Sequence, residues 1–169
     1  MLFSLLLLIG CSSNDPVDDF EENRPGSVRA FYAYPSTIRM LGKIMGSESN
    51  EALSDIEKAR LFIEWKSKDV DSRDTFISLK ERSERSGFDE LFSISSKNSD
   101  ISVLLKEESS PRYIVFSFSP DVDYILELEG KISMSALREI GTLDMDNVVD
   151  VINLGKPSEK ENAENSEKQ

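Results

Sequence analysis

The groups in this chain that could do acid–base chemistry are carboxylates. Glu127 and Glu129 stand two residues apart in an alternating apolar stretch, so on a strand their carboxyls share a face about 7 Å apart. Paired carboxyls at such a distance could suit acid–base work, as in a hydrolase or lyase, but only inside a cleft. With Lys131 next in the alternation, the simpler expectation is a solvated outer face. Asp69-Val70-Asp71, Asp121-Val122-Asp123 and Asp144-Met145-Asp146 look like the start of calcium loops. None has the later glycine and distal glutamate at the required spacing, so turn and cap roles are expected instead. There is no histidine and only one cysteine. That excludes a Ser-His-Asp triad, a histidine base, a Cys/His zinc site and an internal disulfide. The expectation is therefore no catalytic residues, no metal and no cofactor. A formal net charge of −12 argues against nucleic-acid binding.

The one cysteine, Cys11, ends the stretch Leu8-Ile9-Gly10-Cys11, which closes the apolar run from Met1. A run this short is a secretory signal and not a membrane span. The tetrapeptide resembles the bacterial lipobox, although no Lys or Arg precedes the run. The resemblance implies lipid transfer to the Cys11 thiol, cleavage after Gly10 and acylation of the new amino group. Two or more acyl chains hold a protein stably, where one does not. The site expected from the sequence is thus lipidation at Cys11. The partner is the membrane, and the address is the outer membrane, facing either the periplasm or the outside.

Residues 1–10 are then the signal peptide. Residues 11–27 read as an acidic tether, because Asp and Glu dominate it. Residues 28–154 form one α+β domain, and the polar residues 155–169 a disordered tail.

Within the domain, Val28–Tyr34 alternates like a strand. Ser36 can cap a helix over Thr37–Met45, and Asn50 one over Glu51–Lys58. Ala59–Lys66 is a strand, and Ser72 can cap a helix over Arg73–Ser86 that Gly87 stops. Four strands follow, Glu90–Ser95, Ile101–Glu107, Arg112–Ser119 and Asp123–Ile132, joined by short polar links. Such links make antiparallel hairpins. Ser133 or Ser135 opens a last helix to about Gly141; Met145, Val148, Val149 and Ile152 recur at helical spacing, so residues 145–153 read equally as one more helix or as an edge strand, and Met145–Ile152 could assemble with another envelope protein. The fold class expected is α+β: a mainly antiparallel sheet with a C-terminal four-strand meander, and helices packed on one face. Tyr32, Tyr34 and Tyr113, with Phe31, Phe62 and Trp65, could form an aromatic ligand surface, although core packing accounts for most of them.

Three stretches carry a family likeness: Tyr34-Pro35-Ser36-Thr37-Ile38-Arg39-Met40-Leu41, Ile56-Glu57-Lys58-Ala59-Arg60-Leu61-Phe62, and Ile125-Leu126-Glu127-Leu128-Glu129-Gly130-Lys131-Ile132. In these, and in its order of elements, the chain resembles the DUF4252 family of bacterial lipoproteins over roughly residues 28–143. The resemblance implies the fold and the anchor. It implies no activity and no site residues.

Overall fold

The computed structural model describes residues 15–38, 55–66, 72–97 and 99–141. Cys11, most of the helix read over Thr37–Met45, the first half of the helix read over Glu51–Lys58, the Asp69–Asp71 and Asp144–Asp146 pairs, Met145–Ile152 and the tail lie outside them. The elements are α1 (Pro16–Asn23), β1 (Arg29–Ala33), β2 (Ile56–Trp65), α2 (Arg73–Arg85), β3 (Asp89–Ser95), β4 (Asp100–Lys106), β5 (Arg112–Phe118), β6 (Val122–Gly130) and α3 (Met134–Gly141).

The strands form one six-stranded sheet in the order β1-β2-β6-β5-β4-β3, with every neighbouring pair antiparallel. The meander β3 to β6 is present as read. The fold is α+β. Strand β2 starts at Ile56, where a helix end was expected. Pairing with β6 decides this: Lys58 lies opposite Glu129, and Ile56 is buried with Leu128.

Helical segments pack on both faces. On one face, Val17 and Phe20 of α1 and Phe76 and Leu79 of α2 join Phe62, Ile114, Phe116 and Ile125. Phe20 meets Phe62 edge-on at 5.2 Å between ring centres and Phe76 at 5.7 Å. On the other face, Ile38, Ala136 and Leu137 pack on Ile56, Tyr113 and Leu128.

Of the residues read as tether, Asp15 caps and Pro16–Asn23 form a docked helix. Asp15 Oδ1 accepts the Val17 and Asp18 N–H groups, and Pro16 occupies the first helical turn. Val17 and Phe20, three apart, then fall on one face and are 0% and 1% exposed. Two apolar residues outweigh an otherwise acidic segment because the sheet offers them a large aromatic partner surface.

Local signals end the other elements. Helix α2 stops with the Phe88 N–H on the Ser83 carbonyl and the Gly87 N–H on Glu84, with Gly87 at φ +91°. Strand β6 ends at Gly130 and not at Ile132, since Gly130 takes φ +135° and brings its Cα against the Asp55 carbonyl. Residues 35–38 are helical with Pro35 first, so Ser36 lies inside the turn and does not cap it.

Candidate functional site

The ionisable groups gather beneath helix α1. Register places Arg60 of β2 and Glu127 of β6 directly opposite one another, and Ile114 of β5 opposite Glu127 on its other side. Arg112, one pleat along β5 from Ile114, reaches back to Glu127. Both Glu127 oxygens are taken: Oε2 accepts Arg60 Nε–H and Oε1 accepts Arg112 Nη2–H. Glu127 is 2% exposed and Arg60 5%. The face of β6 read as solvated is therefore buried. Strand parity was right, but α1 lies across that face and two guanidiniums supply the neutralising charge.

Helix α1 closes the network from above. Arg60 Nη1 donates to Asp18 at 2.6 Å and Glu21 at 3.0 Å. Arg112 Nη1 donates to the second oxygen of Asp15, whose first oxygen caps the helix. Tyr32 O–H donates to the other Glu21 oxygen, and Arg82 of α2 pairs with Asp19. Burial works against the charge on Arg60, but the Glu127 and Asp18 carboxylates outweigh it and push its pKa up. Arg112 behaves the same way between Asp15 and Glu127. Burial alone would raise the Asp15 pKa; Arg112 and the two helix N–H groups overcome that and lower it. The Tyr32 hydroxyl, hydrogen-bonded to Glu21, is shifted up.

A second buried group sits at the other end of the same face. Glu64, fully buried, accepts Ser27 Oγ–H at 2.5 Å, the Ser72 N–H at 2.7 Å and Ser72 Oγ–H at 2.7 Å. The Ser72 hydroxyl thus serves Glu64 and makes no cap bond to α2. Asp123, fully buried too, pairs with Lys66 at 3.0 Å and Arg73 at 3.4 Å and accepts the Ser119 N–H at 3.0 Å. It is a counter-ion for two cations, which is unlike a calcium ligand. Among the described residues, no three acidic side chains converge as a metal site.

The arrangement suits cohesion more than proton transfer. Glu129 is half-buried beside Glu127, and each Glu127 oxygen already accepts a guanidinium N–H. A depression of about 390 Å³ between α1 and α2 is lined by Pro16, Asp19, Arg82, Arg85 and Ser86, and neither glutamate reaches it. The aromatic residues do not form one surface. Tyr32 and Phe62 are on the α1 face, while Phe31, Tyr113 and Trp65 are on the other.

The sequence profile described as a domain of unknown function, DUF4252, matches residues 27–140. The chain belongs to the DUF4252 family. No curated protein and no solved structure matches it. The DUF4252 match holds Arg60, Arg112 and Glu127 but begins after α1, so Asp15, Asp18 and Glu21 are added to the family's domain from outside the match. Arg60 and Arg112 were not singled out in the sequence. The available signal was an arginine in each of two strands that are otherwise rich in buried apolar positions.

Proposed function

We propose that this DUF4252 chain is an envelope lipoprotein, held at the outer membrane by lipid on Cys11, whose α+β domain is a non-catalytic binding or sensing module. The observation that carries this reading is the apolar run ending in Leu8-Ile9-Gly10-Cys11. The domain's chemistry agrees with it: Glu127, Asp123 and Glu64, the most buried acids among the described residues, are all committed to arginine, lysine, serine or backbone donors. Those commitments also weigh against a hydrolase built on Glu127 and Glu129.

The docked α1 changes how such an anchor would act. Only Ser12, Ser13 and Asn14 separate Cys11 from Asp15, so the lipid-bearing residue lies within about 14 Å of Asp15, the residue that caps α1, even when the chain is fully extended. The domain is held close to the bilayer by a short arm, with the N-terminal end of α1 nearest the lipid. A Cys11→Ala variant grown with a clickable fatty acid should stay unlabelled and uncleaved while the wild type is labelled. Label on the variant would remove the basis of the proposal.

A further inference from the structure

Helix α1 is seated on the domain as a separate ligand would be. Val17 and Phe20 close over an apolar floor to which Phe62, Phe76, Ile114 and Ile125 belong. Around that floor stand three arginines from three elements: Arg60 of β2, Arg112 of β5 and Arg82 of α2. They meet four carboxylates of the helix and its cap, with Asp18 and Glu21 on Arg60, Asp15 on Arg112 and Asp19 on Arg82. Among the described residues, Glu127 is the one other acid that pairs with any of the three. The seat is therefore cationic, in a chain whose formal net charge is −12. An apolar floor with a cationic rim selects an acidic amphipathic helix whose apolar residues stand three apart.

Seat and occupant are also separate in the chain. The DUF4252 match, residues 27–140, contains the floor and all three arginines and leaves α1 out. Ser27 is held by Glu64, and Val28 is buried in the core. Between them and α1 lie only Arg24, Pro25 and Gly26, and a Cβ at Gly26 would meet nothing within 4 Å.

We propose that this seat is the ligand groove of the domain, built for an acidic segment of a partner protein with the pattern of α1, and that α1 is its resident competitor. Rotation at Arg24–Gly26 releases α1 and frees the floor and the three arginines together. A partner segment enters only where α1 has left, so its apparent affinity is reduced by the fraction of chains whose seat is open. The inference rests on the reading of the domain as a binding module and deepens it. It does not rest on the anchor: the groove can fail its test in a chain lipidated at Cys11, and pass it in a chain that is not.

The test is fluorescence anisotropy of the full chain with a fluorescein-labelled peptide of residues 15–24, blocked at its free end. Asp18→Asn/Glu21→Gln weakens the hold of Arg60 on α1 in the chain, while the peptide keeps its own carboxylates. Val17 and Phe20 stay in place in this variant, so the core keeps its filling. It should bind the peptide at least about tenfold more tightly than the wild type does. Asp19→Asn, which loosens only the contact to Arg82, is the milder variant and should tighten binding about two- to fivefold. A peptide carrying Val17→Ala and Phe20→Ala should bind none of the chains. Three results would each overturn the proposal: no binding to any chain that circular dichroism shows to be folded, equal affinity for the wild type and both variants, or equal binding of the alanine peptide. The first would make α1 a fixed part of the core, and the other two would put the peptide somewhere else.

Discussion

Replacing Phe20 with alanine separates a docked α1 from a tether. Phe20 is 1% exposed and makes edge-on contacts with Phe62 and Phe76. Removing a buried phenylalanine side chain costs about 3–5 kcal/mol through lost transfer energy and an unfilled cavity. Here the cavity opens among Phe62, Phe76 and Leu79, which are held by the sheet and α2 and cannot easily collapse inward. With a urea m-value of about 1–3 kcal/mol/M, the midpoint should fall by more than about 1 M. Glu22→Ala, on the exposed side of the same helix, should shift stability by less than about 0.5 kcal/mol. Equilibrium urea denaturation followed by Trp65 fluorescence reads both variants. Equal, negligible shifts would refute the docking of α1 and restore the tether.

Glu127→Ala should destabilise by about 3–5 kcal/mol in the same assay, because it strands Arg60 and Arg112 without their shared counter-ion, while Glu129→Ala should cost far less. Acid should loosen α1. Asp15 has a folded pKa below its ordinary 3.8, so its contribution is complete above that value and is lost as pH falls through the lower folded value. Asp15→Asn should therefore lower stability at neutral pH and shrink the fall seen between pH 5 and the acid limb (about one carboxylate's share), as read by urea midpoints across pH. Gly130→Ala should cost at least about 1–3 kcal/mol in thermal denaturation, since φ is +135° there and a Cβ would stand 2.0 Å from the Asp55 carbonyl oxygen.

The parts of the fold that could be read in the sequence are those whose signals are local. Strands β3 to β6 are short runs carrying β-branched or aromatic residues and are joined by short Ser-, Asp- or Pro-containing links, so order and pairing follow directly. Helix α2 carries Phe76 and Leu79 at helical spacing and a glycine stop at Gly87. Helix α1 was missed because its carboxylates outnumber its apolar residues, and such a composition normally stays solvated. The Asp15-Pro16 start and the Val17/Phe20 spacing were its only marks. The buried Glu127 was missed for a different reason. Alternation tells which residues share a face, but not whether arginines from neighbouring strands and a helix from elsewhere will cover it. Arg60 lies 67 positions from Glu127 in sequence, and only the β2–β6 register brings them together.

The claim that joins anchor and fold is that the lipid sits on Cys11, one short arm away from a docked helix. Intact-mass and peptide mass spectrometry of the chain purified from its native envelope tests it most directly. The account requires the N-terminal peptide to begin at Cys11 and to carry diacylglycerol on sulfur with acylation on nitrogen. A free Cys11 thiol with Met1–Gly10 still attached would contradict it.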